Sequence, residues 1–343
     1  MTAVAAPRER PTDVGVVVVG RNEGARLERC LASVLACTDR VLYVDSGSAD
    51  GSATLARTLG VAVWELDPAQ PFSAARARNE GFECLLAATP EIALVQFVDG
   101  DCEMDCNWLA RGRDELLRVP KVAMVCGRVR EIDPEASCYN RLCALEWDHP
   151  AGDVRACGGN FMIRVSIFRS VRGFRPEVVA AEDDELCLRV RQAGGCIRLL
   201  DSDMVRHDAA LLHFGQWWRR AQRCGHAYAL GFSLHGRTPE RHFRREMRSL
   251  ILWGALLPLL ALIPAAWTRG WSLLLLAGFP MLALRIYNFG RGRGWPGRDA
   301  RLYAVFTVLG KLPGVIGMIR FYLDRWRGRH PALIEHKETG ALS

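Results

Sequence analysis

Val14 to Gly20 reads Val-Gly-Val-Val-Val-Val-Gly, an almost unbroken β-branched run. A strand with one wet face alternates apolar and polar side chains, whereas a run without alternation belongs inside a parallel sheet that is covered on both faces. The run ends in Gly20-Arg21-Asn22-Glu23-Gly24, after which Leu27, Cys30, Leu31, Val34 and Leu35 recur at helical spacing. Arg40 to Val44 is a second strand, the stretch with Leu55 and Leu59 a second helix, and Val61 to Leu66 a third strand. Three β-α units in succession predict a Rossmann-like α/β layer. At 343 residues the chain holds one large domain or two smaller ones, with ample length for a buried core.

The chemistry-bearing candidates fall at the ends of these elements. Ile92 to Val98 is a buried strand closed by Asp99-Gly100-Asp101. The glycine lets the backbone bend so that both carboxylates converge beyond the strand end. Open α/β sheets bind ligands there, and paired carboxylates suit a hard divalent cation that bridges protein and phosphate. Taken alone the tripeptide is more often an ordinary Asp-Gly turn. The loop from Asp45 to Ser52 is rich in glycines and short polar side chains, fitting either a nucleotide cradle or a helix-capping cluster. Arg76, Arg78 and Asn79 open a helix, where guanidinium forks match phosphate oxygens or simply face water. Gly158-Gly159-Asn160 leads into a strand, either to admit a ligand close to the backbone or to make a bulge. Glu182-Asp183-Asp184-Glu185 opens another helix. The helix dipole accounts for one or two of these acids, and four crowded carboxylates favour a raised pKa in one of them, as a general base requires. Gln216-Trp217-Trp218-Arg219-Arg220 lies in a later helix, suited to an acceptor, a pyrophosphate or a membrane interface.

The first turn lacks the Gly-x-Gly-x-x-Gly of dinucleotide folds. The ordered set resembles instead the family 2 glycosyltransferases, inverting enzymes with a GT-A fold and nucleotide-sugar donors. The matching pieces are Val17 to Glu23, Val44 to Ser52, Ala77 to Gly81, Asp99-Gly100-Asp101, Gly158-Gly159-Asn160 and Glu182 to Arg189, across roughly residues 12–230. The resemblance implies α/β architecture with a mixed central sheet flanked by helices, a Mg2+ or Mn2+ cofactor, and a hydroxyl acceptor. It places Arg21, Glu23, Asp45, Arg78, Asn79 and Asp99 at the nucleotide sugar. Asp99 and Asp101 would hold the metal, with His207 or His213 available as a further ligand and His207 assigned. Asp183, beside Glu182, would be the catalytic pair, and Gly159, Asn160, Gln216 and Arg219 would face acceptor or pyrophosphate. Polymerising members often carry Gln-x-x-Arg-Trp. Here Arg220 replaces the tryptophan, which weakens any reading of processive synthesis.

Charge divides the chain. From Arg237 onward 17 Lys/Arg face 6 Asp/Glu, a net of +11 that leaves −4 for residues 1–236. Basicity interleaved with apolar runs points to an anionic membrane surface, and no basic stripe supports nucleic acid. Leu250 to Trp267 gives 18 residues without a charge and Trp271 to Leu284 another 14. A single span would strand Arg285, Arg291, Arg293 and Arg298 outside, so a hairpin over 250–267 and 271–287 is expected, or a re-entrant, surface-lying one. Residues 302–323 read as an amphipathic interfacial helix, with Trp326, Arg327 and Arg329 at head-group level. The 12 cysteines show no zinc spacing and read as buried thiols of a reducing compartment, and no secretory signal is seen. The expected organisation is a disordered tail over 1–12, a catalytic domain over 13–235 and a membrane region over 236–343. The catalytic domain is placed on the cytoplasmic side of the cell inner or plasma membrane, with a lipid-linked or saccharide acceptor. The competing reading is a catalytically silent GT-A-like scaffold in a membrane assembly.

Overall fold

The computed structural model describes residues 10–328, so most of the expected tail and Arg329 lie outside the described residues. Nine strands form one mixed sheet: β1 Val14–Gly20, β2 Val41–Asp45, β3 Ala62–Glu65, β4 Leu94–Asp99, β5 Cys102–Met104, β6 Val122–Glu131, β7 Gly152–Asp153, β8 Phe161–Arg164 and β9 Cys196–His207. Their order is β3-β2-β1-β4-β8-β6-β9-β5, and β7 pairs with β9. The β-branched run that opens the sheet is its buried centre, with Val14, Val16, Val17 and Val18 fully covered. It pairs in parallel with β2 on one side and β4 on the other.

Two features of register place the site. Gly20 lies opposite Asp45, and Val19 opposite Asp99, so the first, second and fourth strands end level at the point where the strand order reverses. Across the sheet His207, the last residue of β9, is paired with both Cys102 and Glu131. A histidine more than a hundred residues from Asp101 in sequence is thereby brought beside it.

The helix Phe214–His235 leaves the sheet layer and meets Lys311–Trp326 near the end of the described chain. They cross closely because both are glycine there. A Cβ on Gly225 would strike the Gly314 carbonyl, and one on Gly317 would strike the Gln222 carbonyl. Val178, Leu230, Met247, Leu250, Val315 and Phe321 form a second core around this crossing. Residues 302–323, expected as one helix, are therefore two, Gly297–Leu309 and Lys311–Trp326. The second of these turns Val315, Met318 and Phe321 onto Phe214–His235 and leaves Leu312, Ile316 and Ile319 outward. Among the described residues three runs are long and apolar enough to cross a membrane: Arg244–Ala265, Trp271–Gly292 and Gly297–Trp326.

Candidate active site

At the carboxyl ends of β1, β2 and β4 lies a cavity of about 420 Å³, walled by the Gly20-Arg21 turn, Ser46, Phe72, Asp99 to Asp101, Gly159, Ala181 to Asp183 and His207. Its far wall comes from Trp147, Ala209, Leu211, Arg220 and Arg223.

Arg78 is the hinge of the floor. It sits on the helix Ala74–Ala88, whose start is capped by the Ser73 hydroxyl accepting from Arg76 N. Its guanidinium is 3% exposed, donating through Nη2 to Asp99 Oδ1 at 2.6 Å and through Nη1 to Glu182 Oε1 at 2.7 Å. Burial alone would lower its pKa, but the Asp99 and Glu182 carboxylates more than offset that and raise it. Asn160 fixes the remaining side of Asp99, accepting the Asp99 N–H at 2.9 Å. Gly159 must be glycine, since a Cβ there would collide with Arg78 and come within 2.7 Å of Asp99 Oδ2.

The helix Glu182–Gln192 enters the cavity from Ala181, a non-glycine residue in the left-handed region with φ 56°. Such strain persists where surrounding structure over-determines it. It presents two adjacent carboxyls whose pKa values are driven in opposite directions. For Glu182 burial raises the pKa, but Arg78 and Arg223 outweigh it and hold the group below the usual carboxylate range. For Asp183 burial, reinforced by the charges of Asp184 and Glu182, pushes the carboxyl well above that range. Asp184 is pushed up to about 6, chiefly by burial. Environments that drive neighbouring carboxyls apart in pKa are the usual basis for dividing acid and base roles.

Among the described residues Asp101, Cys102 and His207 offer ligand atoms all within 4.8 Å of one another. His207 Nε2 lies 3.5 Å from Asp101 Oδ1, and its Nδ1, buried and without a hydrogen bond, lies 4.0 Å from Glu131 Oε2. A hydrogen bond from the distal nitrogen to a carboxylate orients a ligating imidazole; Glu131 stands next to that nitrogen at 4.0 Å without making one. Trp147 packs edge-on against the His207 ring at 4.6 Å. Cys102 is fully buried, donates to Asp101 Oδ1 at 3.4 Å, and has its thiol pKa raised by burial and by Asp101 and Asp99. It therefore reads as support for Asp101. A carboxylate and an imidazole fit Mn2+ or Mg2+, leaving further positions for phosphate oxygens.

The cavity thus gathers Arg21, Glu23, Arg78, Asp99, Asp101, Gly159, Glu182, Asp183 and His207. Other expected residues stand elsewhere, each for a visible reason. Asp99 is outside the Asp101–His207 group because Arg78 takes its carboxylate. Asp45 is 2% exposed and folds its own loop, accepting from Tyr43 Oη and from the Gly47 and Ser48 N–H groups. Asn79 faces away from the cavity and clasps Phe174 by both its backbone groups at 2.8 Å. Asn160 acts beneath Asp99 rather than on a ligand. Gln216 caps its helix, accepting from Leu212 N and His213 N, and Arg219 is off the cavity wall, where Arg220 and Arg223 stand instead. His213 is the residue before that helix and shares its capping box.

Sequence reading missed Glu131, Asn140, Trp147 and Arg223, and it named Arg220 only within the aromatic-arginine run while assigning Arg219 to the site. Glu131 accepts from Asn140 Nδ2 and Ala209 N, and Asn140 Oδ1 accepts from Leu211 N, so together they hold the segment after β9 against the cavity. The only local signal for any of them was the three-residue spacing of Arg220 and Arg223, which puts both on one helix face.

Residues 15–172 match the sequence pattern of the family described as Glycosyl transferase family 2. The chain is 33% identical over 253 residues to glycosyltransferase AglE of Haloferax volcanii, spanning 70% of this chain and 79% of that protein. It is 26% identical over 194 residues to a TPR repeat-containing protein of Synechococcus elongatus, covering 57% of this chain and 41% of the other. Among solved structures, the mannosyltransferase PcManGT from Pyrobaculum calidifontis, in complex with GDP-Man and Mn2+, superposes with a TM-score of 0.55 at 20% identity, over 91% of this chain and 88% of that one. At that identity the likeness speaks for the fold, which is GT-A. By sequence kinship and by fold, this chain belongs to glycosyltransferase family 2.

Proposed function

We propose that the protein is a metal-dependent, inverting glycosyltransferase that moves a sugar from a nucleoside diphosphate to a hydroxyl acceptor at the cytoplasmic face of a membrane. One observation carries the reading. A single cavity joins the Asp101–His207 pair to a carboxyl, Asp183, whose surroundings drive its pKa up. Asp101 and His207 would hold Mn2+ or Mg2+, which when bound supplies Lewis-acid neutralisation of the diphosphate charge. Arg21 and the loops after β1 and β2 bind and orient the nucleotide, and Arg78 keeps Asp99 and Glu182 fixed beneath it. Asp183, in its ionised form, accepts the proton of the acceptor hydroxyl. The oxygen forms its bond to the anomeric carbon as the bond to the diphosphate oxygen breaks. One displacement from the face opposite the leaving group inverts the anomeric centre, and no protein nucleophile is called for.

Attachment to the membrane is supported by the outward apolar faces of Arg244–Ala265 and Trp271–Gly292. As a hairpin they keep both basic flanks on one side, and Lys311–Trp326 packs on Phe214–His235, which lines the cavity through Arg220 and Arg223. The test is nucleotide-sugar turnover by the full chain in detergent with Mn2+ or Mg2+. Activity with either ion, lost in Asp101→Ala and on chelation, is the expected outcome. Turnover indifferent to chelation refutes the metal role, and a product that retains the donor's anomeric configuration refutes the single displacement.

A further inference from the structure

The far wall of the cavity is unlike the rest of it. The loops that end β1, β2 and β4 supply the side read above as the donor site. Arg220 and Arg223 instead come from Phe214–His235, the helix that runs into the C-terminal crossing. Three residues apart, they face the cavity from one helix side. Glu146 engages Arg220 through one nitrogen, Nη2, at 2.7 Å. A guanidinium has five N–H donors, so this contact orients the group without exhausting it. Arg223 lies near enough to Glu182 to hold down its pKa, which puts it at the catalytic end of the cavity.

Beside the arginines the wall turns apolar and continues outward. Leu211 lines the cavity, while the next apolar residues, Leu212 and Phe214, are half exposed at 51% and 50%. The Phe214 ring lies 5.4 Å from Trp217 and 5.6 Å from Trp218, and Trp217 packs on Phe306 at 4.9 Å. Phe306 belongs to Gly297–Leu309, within the third apolar run, where Val305 and Leu309 are also exposed. An apolar strip thus leads from the arginine pair to the helices that are apolar enough to meet lipid.

Two cations at the inner end and a hydrocarbon surface at the outer end describe one kind of occupant. We infer that the acceptor is an amphiphile bearing a phosphate group, with the phosphate on Arg220 and Arg223 and the hydrocarbon chain over Leu212 and Phe214. The inference rests on the glycosyltransferase reading for the word acceptor, but the site itself does not. Phosphate recognition by the arginine pair has a second source in the donor's own diphosphate, and the experiment separates the two.

Full-length protein in neutral phosphatidylcholine nanodiscs is titrated with farnesyl phosphate, farnesol and inorganic phosphate, and separately with GDP and UDP in Mn2+. Wild type is expected to bind farnesyl phosphate at least about tenfold more tightly than farnesol or phosphate alone, as one charge-assisted hydrogen-bond site dictates. Arg223→Gln removes the preference over farnesol and leaves nucleotide affinity within about twofold. Arg220→Lys, which keeps a cation beside Glu146 and so protects the fold, weakens it less, because an ammonium cannot form the planar fork. A Leu212→Asn, Phe214→Asn pair weakens farnesyl phosphate but not inorganic phosphate. The inference is overturned if farnesol binds as well as farnesyl phosphate, or if Arg223→Gln weakens GDP and UDP as much as farnesyl phosphate, which would assign the arginines to the leaving group. Failure of both nucleotides to bind would sink the donor-site reading, while the farnesyl phosphate and farnesol comparison would still decide this one.

Discussion

Phe97 and Leu259 lie in comparably apolar stretches of the chain, yet Phe97 is wholly buried and Leu259 is 53% exposed. The contrast holds for the regions around them. In the catalytic layer Phe97, Phe161, Phe168 and Phe174 pack ring against ring beneath the site. Of the polar groups above them, Arg78 pairs with Asp99 and Glu182, while Asp101 meets Cys102 and His207. In the C-terminal third Leu262, Trp267, Trp271 and Trp326 are 60% to 82% exposed, and no polar cluster forms among them. Burial of apolar surface from water drives the first arrangement; the second is stable where the surroundings are themselves apolar. The first region suits water, and the second is the part that the proposed membrane attachment would cover. The glycine crossing of Gly225 with Gly314 and Gly317 is the joint between them.

The comparison can be broken from either side. The largest effect is expected at Asp183. Replacement by Asn removes the proton acceptor and should cost roughly 10²–10⁴ in kcat with little change in donor affinity, as steady-state kinetics would show. The raised Asp183 pKa also sets a pH dependence in wild type. Because only the ionised form accepts a proton, kcat/KM falls as pH drops through that raised value, whereas an ordinary exposed carboxylate would keep the profile flat to a lower pH. Asp101→Ala should lose at least about a hundredfold, the loss of several kcal/mol of charge stabilisation, with the unfolding midpoint unchanged.

The joint is tested next. Gly317→Val puts a Cβ onto the Gln222 carbonyl and should destabilise the fold by about 1–3 kcal/mol. Gly292→Ala, with nothing within 4 Å of the added Cβ, is the control and should be neutral in thermal unfolding. An equal effect at both sites would mean that the crossing is not specific.

The smallest effect concerns Asp184. Its folded pKa, pushed up to about 6, stands above the ordinary aspartate value of 3.8. The native state therefore prefers the protonated form, and that advantage, full below the unfolded value, is lost as pH rises through about 6. Asp184→Asn should then be more stable than wild type at pH 7 by on the order of 1–2 kcal/mol, with the difference vanishing toward pH 4. Chemical unfolding at the two pH values reads this, and a difference independent of pH would place the effect in packing.

Much of the layer was legible in the chain. The β-branched run gave the central strand within its observed bounds, and the Asp99-Gly100-Asp101 turn marked the strand end that opens the cavity. Side-chain direction was not legible. Asp45 and Gln216 carry ligand-binding chemistry, but backbone N–H groups within a few residues claim both, as short polar side chains near helix and turn starts commonly allow. Glu131 and Trp147 could not be found because they reach His207 through strand register and helix packing, neither of which leaves a local pattern. Arg220 displaced Arg219 for a related reason. Once Gln216 is fixed as the cap, helical phase decides which arginine faces inward.

The central claim is that Asp101 and His207 form the cation site of the catalytic layer. Mn2+ binding followed by electron paramagnetic resonance, with GDP or UDP present and no turnover required, tests it most directly. Wild type is expected to bind one Mn2+ per chain, with affinity at least about tenfold weaker in Asp101→Ala and also weakened in His207→Ala. Unchanged Mn2+ affinity in both variants would contradict the account.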